Sequence, residues 1–151
     1  MNSVNDLYRQ VIMEHYRSPR NKGLVSDSGY ICLRLKNPSC GDDITVQAKV
    51  ENGRVAAIRH EGTGCSICCS SASVMSEVLK GKTIQEAKDI IADYYNLIKG
   101  EEVKNEEALD EAIAYQGVAN FPARVKCATI SWRAMGAILE GQTGEQDVEE
   151  W

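Results

Sequence analysis

The sequence predicts an α+β fold, in which a three-stranded antiparallel sheet carries helices packed on one of its faces. Three observations lead to this prediction. Residues 30–36 and 44–50 alternate apolar and polar side chains, which is the period of a strand with one buried face. Asn52-Gly53 marks a two-residue hairpin turn into a third strand at residues 55–61. Beyond this strand the apolar spacing becomes helical, and strands followed by helices are typical of the α+β class.

Helices are predicted both before and after the sheet in the chain. The first, at residues 5–17, ends before Ser18-Pro19, because the residue before a proline avoids the helical conformation. Thr83 and Glu86 form a capping-box pattern, and Pro122 fits the first turn of a helix. The helices expected after the sheet therefore lie at residues 67–79, 84–98, 106–116 and 122–139.

The composition is that of one ordinary globular domain. The chain has 151 residues, of which 43% are hydrophobic and 26% charged, and these values disfavour disordered, collagen-like and coiled-coil classes. We predict a single domain at residues 1–140 and an acidic, flexible tail at residues 141–151. No apolar stretch has membrane-spanning length, and the first ten residues lack the pattern of an export signal. A cytoplasmic protein without membrane contact is therefore expected.

The net charge of −5 comes from the end of the chain. From Glu140 onward there are acidic residues but no Lys or Arg, whereas the preceding part balances its acidic and basic side chains. A chain with balanced charges and no cluster of Lys and Arg lacks the positive surface that binds nucleic acid. We therefore exclude nucleic acid as a partner, and we expect the tail to be solvated or to make a minor contact.

Six cysteines and two histidines limit the chemistry that this chain can perform. A reducing compartment disfavours a disulfide framework and leaves metal binding or thiol chemistry. With so few histidines, a transition-metal site must be built mainly from sulfur and carboxylate. His15 and His60 are interpreted as packing residues, because neither has a partner at ligand spacing.

Three of the cysteines occupy positions that favour a thiolate. Cys40 lies in the loop between the first two predicted strands, Cys65 at a strand-to-helix junction and Cys127 near the start of the last helix. Asp42 adds a carboxylate close to Cys40. Three thiolates and one carboxylate form a closed tetrahedral set for zinc. The spacing matches no local zinc motif, so ordinary buried cysteines are an equal alternative on spacing alone.

The remaining candidates have two interpretations each. Arg124, one helical turn before the last cysteine, is either a solvated charge or a cation that offsets a negatively charged metal site. Cys68 has a redox or metal spacing from Cys65, but its helical position also suits packing. Cys69 is expected to be a partly exposed thiol, and nothing marks Cys32 as more than structural.

Four segments together resemble the IscU/SufU family of iron–sulfur cluster biogenesis proteins. They are YRQVIMEHYRSPRNKG at residues 8–23, NPSCGDDI at 37–44, GTGCSICCSSASVMSE at 62–77 and FPARVKCATISWRA at 121–134. The likeness extends over about residues 5–140. Within the family the chain resembles the SufU type, because a lysine precedes Cys127 where IscU scaffolds carry histidine. The stretch from Cys65 to Cys127 is also the longer, SufU-like one.

The resemblance implies a zinc-dependent sulfurtransferase with a fold of antiparallel sheet plus helices. The implied zinc ligands are Cys40, Asp42, Cys65 and Cys127, with Arg124 as the nearby functional cation. Cys40 would accept persulfide sulfur from a SufS-like cysteine desulfurase and pass it to downstream iron–sulfur assembly proteins. Cys40 and Arg124 are therefore the implied catalytic residues.

Two other functions are compatible with the sequence. A scaffold on which a [2Fe-2S] cluster is assembled would use the same thiolates, because iron–sulfur clusters also bind through cysteine. An interaction module with structural zinc would unfold when the metal is removed. Cys68-Cys69 departs from the family pattern of small hydroxyl or apolar residues, which leaves open which thiols bind metal and whether one relays sulfur.

Overall fold

A computed structural model of the chain describes residues 4–38 and 41–147 and shows an α+β fold. Within these residues, every helix is too short or too polar to cross a membrane. The elements follow one another as α1 (Val4–Arg17), β1 (Ile31–Asn37), β2 (Asp42–Glu51), β3 (Arg54–Thr63), α2 (Ser66–Leu79), α3 (Ile84–Lys99), α4 (Glu106–Leu109), a 3-10 helix (Asp110–Asn120), α5 (Pro122–Leu139) and β4 (Gly144–Asp147).

The first three strands form the antiparallel meander that the sequence predicts. The strand order in the sheet is β3-β2-β1-β4. Val46 of β2 pairs with Leu33 of β1 on one side and with His60 of β3 on the other. Between β2 and β3, Asn52 and Gly53 have φ angles of 53° and 74°, both in the left-handed region that a type I′ turn requires. The hairpin prediction is therefore confirmed.

The prediction of a purely antiparallel, three-stranded sheet is wrong, because β4 adds a fourth strand. It runs parallel to β1, from the pair Leu33–Gly144 to the pair Lys36–Asp147. Its sequence, GEQD, has no apolar alternation and gives no strand signal. Charge pairs hold it in place as well: Glu145 lies 2.6 Å from Lys36 Nζ and 3.3 Å from an Arg34 guanidinium nitrogen. Residues 144–147 thus lie in the sheet and not in a solvated tail.

Helices α2 and α5 contact the sheet and build the core against it. The buried strand positions include Leu33, Ile44 and Val46, each at most 1% exposed. Helix α1 packs on α2 and the 3-10 helix, while α3 packs on α5. Apolar burial at these contacts is the main stabilising contribution to the fold.

A buried polar network joins α2 to α3 and α5. The rings of Tyr94 and Trp132 are stacked with their centroids 3.9 Å apart. Trp132 Nε1 donates to Ser71 Oγ at 2.9 Å, and the Tyr94 hydroxyl donates to the Ala128 carbonyl at 2.7 Å. Because a buried donor without a partner is costly, this network fixes the relative position of α2 and α5. It thereby also fixes the two cysteines near their N-terminal ends.

Both histidines have packing roles, in line with the sequence interpretation. His15 is 1% exposed, and its ring nitrogens lie 2.7 Å from Ser73 Oγ and 2.9 Å from Glu111 Oε1. His60 is 4% exposed, and its Nε2 lies 2.7 Å from the Arg20 carbonyl oxygen. Because a carbonyl only accepts, this Nε2 carries the proton. Burial lowers the pKa of His60 and favours its neutral form.

Candidate metal centre

Three donor groups from distant parts of the chain meet at one end of the sheet. Asp42 is the first residue of β2, Cys65 is the N-cap of α2 and Cys127 lies in the second turn of α5. One carboxylate oxygen and the two Sγ atoms lie within 4.8 Å of one another. The structure thus brings together three of the four predicted metal ligands. The fourth, Cys40, lies outside the described residues.

Local backbone geometry sets these positions. Cys65 is extended, with φ −73° and ψ 173°, immediately before α2, so it stands at the positive end of that helix dipole. Gly41 has a φ of 78°, a left-handed conformation that favours glycine, and its N–H donates to the Asn37 carbonyl at 2.9 Å. This turn leads directly into Asp42. Pro122 occupies the first turn of α5, as predicted.

The three donor groups of the centre are acidic, and two of them are buried. Asp42 and Cys127 are each 2% exposed, and Cys65 is half-buried. Burial raises the pKa of the Cys127 thiol, and the neighbouring Asp42 carboxylate raises it further. A divalent cation bound between these groups would offset their charge.

Arg124 lies beside the two thiols on the exposed side of the centre. Its guanidinium lies close enough to the thiols of Cys127 and Cys65 for an electrostatic interaction with both. The interaction with Cys127 is the largest cause of the raised pKa of this guanidinium, and the charges of both cysteines add to it. The cation proposed from the sequence therefore contacts two of the proposed ligands.

The donor set fits a zinc ion. Zinc accepts thiolate and carboxylate ligands, with Zn–S distances of about 2.3 Å, and the ligand atoms around a tetrahedral ion then lie about 3.8 Å apart. Donors within 4.8 Å of one another need only a small movement to share an ion. Three described donors leave one tetrahedral position for a fourth ligand. Thiolates also bind iron–sulfur clusters, so these ligand types are compatible with a zinc ion or with a cluster.

Gly64 makes room for the Asp42 carboxylate, a role that the sequence analysis missed. A Cβ atom at position 64 would lie 2.7 Å from Asp42 Oδ1 and 2.9 Å from Cys68 Sγ. Both distances are below normal van der Waals contact. The sequence signal was the Gly62-Thr63-Gly64 junction, but only the coordinates show what its last glycine faces.

A Gly64→Ala variant is expected to bind zinc about 10- to 100-fold more weakly. Residue 64 is not itself a ligand, but its added methyl group would push the Asp42 carboxylate away from its position. Competition with a chromophoric zinc chelator measures the affinity. Gly117→Ala is the matched control, since a Cβ atom there meets no atom within 4 Å and its φ is not positive. Equal affinities for the two variants would contradict the assigned role of Gly64.

The two neighbouring cysteines on α2 have different surroundings. Cys68 is fully buried, whereas Cys69 is half-buried. The interaction between their thiols is the largest cause of a raised pKa at Cys68 and of a pKa lowered to about 7 at Cys69, where Lys22 also contributes. Among the described residues, neither thiol belongs to the three-donor group.

The chain is similar in sequence to known proteins. Residues 7–128 match the family model of the NifU-like N-terminal domain. The zinc-dependent sulfurtransferase SufU of Bacillus subtilis (strain 168) is 44% identical over 133 residues, which cover 88% of this chain and 89% of the relative. The iron-sulfur cluster assembly scaffold protein IscU of Streptococcus pyogenes serotype M1 is 31% identical over 146 residues, covering 97% and 91% of the two chains.

Solved structures share the fold. One, described as an iron-sulfur cluster assembly scaffold protein for the SUF system from Fervidobacterium islandicum AW-1, superposes with a TM-score of 0.78 at 30% identity. The match covers 91% of this chain and 99% of that one. The α+β class predicted from the sequence is therefore confirmed.

Proposed function

The chain belongs to the IscU/SufU family of NifU-like N-terminal domains, and from this premise we propose that it is a zinc-dependent sulfurtransferase. The names of the relatives support a role in iron–sulfur cluster assembly. The observation that carries the finer proposal is the convergence of Asp42, Cys65 and Cys127, with Arg124 beside the two thiols.

Four residues of this chain would hold the ion: Cys40, Asp42, Cys65 and Cys127. Cys40 lies two residues from Asp42, so their Cα atoms are at most about 7 Å apart. This reach supports Cys40 as the fourth donor. When bound, zinc keeps its thiolate ligands deprotonated at neutral pH.

Cys40 is the proposed sulfur acceptor. Its thiolate attacks the terminal sulfur of a persulfide on a cysteine desulfurase, and a new S–S bond forms. The S–S bond within the desulfurase persulfide breaks, and its electron pair leaves on the desulfurase cysteine as a thiolate. The same exchange then passes the sulfur from Cys40 to a downstream assembly protein. No external oxidant or reductant is needed in either step.

Arg124 is the proposed stabiliser of anionic sulfur. A guanidinium stays charged at every physiological pH and donates several hydrogen bonds at once. The Arg124 side chain is exposed and already contacts Cys65 and Cys127, so it can also meet a persulfide carried by a docked partner.

A scaffold for a [2Fe-2S] cluster is the second candidate. The IscU name of one relative favours it, and thiolates are the preferred ligands of such clusters. Lys126 argues against the scaffold function. IscU scaffolds are expected to carry histidine at this position, and this chain carries lysine.

Desulfurase turnover combined with metal analysis tests the two candidates. We expect the untagged, anaerobically purified chain to be colourless, to hold one zinc ion and to raise the turnover of a cysteine desulfurase several-fold, measured as alanine released from cysteine. A brown protein that contains iron and sulfide would contradict the transferase and favour the scaffold. Zinc without any stimulation would contradict both and indicate structural zinc.

A further inference from the structure

We propose that Cys69 is a second sulfur-accepting thiol, which takes sulfane sulfur from a small inorganic polysulfide in a cavity beside the metal centre. This inference rests on the proposed function only for the kind of chemistry, namely sulfur exchange. It assigns a role to a residue that the Cys40 reaction does not use.

The cavity lies between the segment that follows α1, strand β3 and the first turns of α2. Its volume is about 240 Å³, and its lining includes Tyr16, Lys22, Ile44, His60 and Ala72 together with Cys69. A single water molecule needs on the order of 10–15 Å³ of such volume, so an anion of several heavy atoms fits.

Cys69 is the thiol that reaches this cavity. It is half-buried, and its Sγ lies 3.7 Å from the Gly64 carbonyl oxygen, a weak contact, and interacts with the neighbouring thiol of Cys68. Cys68, next to it in the chain, is fully buried and is not part of the described lining. A solute in the cavity therefore meets the sulfur of Cys69.

A lysine side chain in the wall favours an anionic solute. Lys22 is 52% exposed, and its Nζ lies 3.9 Å from Glu61 Oε1, a loose ion pair that leaves its charge available. His60 donates its Nε2–H to the Arg20 carbonyl at 2.7 Å, so the positive charge of this wall comes from Lys22.

The size of the cavity and the charge of its wall favour one class of sulfur donor. An inorganic polysulfide is small and anionic, so its charge is attracted to Lys22, while its polarisable sulfur chain suits the apolar surfaces of Ile44 and Ala72. The proposed donor is therefore an inorganic polysulfide.

The reaction is a simple exchange. The sulfur of Cys69 attacks one end of the polysulfide chain, and a new S–S bond forms as the adjacent S–S bond of the polysulfide breaks. The electron pair leaves on the shortened polysulfide, which also receives the thiol proton. One sulfane sulfur has then moved to Cys69 without an added oxidant.

Isotope-labelled tetrasulfide tests the proposal on the zinc-loaded chain. After brief exposure, alkylation and digestion, fragment-ion mass spectrometry locates the labelled persulfide. We expect label at Cys69 in the wild type. Lys22→Gln should slow labelling several-fold, because it removes the attraction for the anion. Cys32, a half-buried thiol on β1 outside the cavity lining, is the internal reference.

Labelling of Cys69 no faster than of Cys32, or a rate unchanged by Lys22→Gln, would overturn the inference. Transfer from a desulfurase to Cys40 is measured in a separate reaction. Failure of that transfer would remove the proposed function alone, whereas failure of tetrasulfide labelling would remove the role of Cys69 alone.

Discussion

A Cys40→Ala variant is expected to accept no sulfur from a cysteine desulfurase, a loss on the order of 10³-fold or more. The physical reason is that the substitution removes the sulfur atom proposed to form the new S–S bond with the desulfurase sulfur, while Cys65 and Cys127 are assigned as anchoring ligands. Incubation with a desulfurase and isotope-labelled cysteine, followed by mass spectrometry of the chain, measures the transferred sulfur.

Two further variants make this prediction specific. Cys32→Ala removes a half-buried thiol on β1 and should leave sulfur acceptance at the wild-type rate. Arg124→Gln keeps the nucleophile but removes the positive charge at the sulfur atoms, so acceptance should slow without disappearing. Normal acceptance by Cys40→Ala would reject Cys40 as the acceptor.

A Cys127→Ser variant is expected to lose stoichiometric zinc and to unfold at a lower temperature. A serine hydroxyl stays protonated at neutral pH, so one anionic ligand of the buried centre is lost. A ligand present at a thousand times its Kd stabilises the folded state by about 4 kcal/mol. For a chain of this length, the loss corresponds to a Tm lower by roughly 10 °C.

Chelation separates the metal contribution from the substitution itself. A strong zinc chelator should lower the Tm of the wild type by a similar amount and leave the Tm of Cys127→Ser unchanged. Calorimetry and metal analysis of both proteins provide the measurement. A variant that still holds one zinc ion per chain would show that Cys127 is not a ligand.

The parts of the fold that were predictable carry local signals. The meander follows from period-two alternation, and the turn follows from Asn52-Gly53, because few other residues adopt its left-handed angles. Strand β4 carries no such signal. Its pairing depends on backbone contacts with β1 and on the charges of Arg34 and Lys36 around Glu145. Each of these contacts joins residues that are more than a hundred positions apart in the chain.

The metal centre was predictable in its chemistry but not in its geometry. Helix-start positions indicated Cys65 and Cys127 as thiolates, yet their meeting depends on how α2 and α5 pack, which the buried contacts of Trp132 determine. The close approach of Gly64 to Asp42 has no signature in one sequence. The role of Cys40 stays a prediction, since it lies outside the described residues.

X-ray absorption at the zinc edge, recorded on the chain as purified and on an Asp42→Ala variant, tests most directly whether one ion binds to the four proposed ligands. We predict one zinc per chain with three sulfur neighbours at about 2.3 Å and one oxygen at about 2.0–2.2 Å, and a weaker, altered oxygen signal in the variant. Zinc surrounded only by nitrogen and oxygen, or iron with sulfide in its place, would contradict the proposed centre.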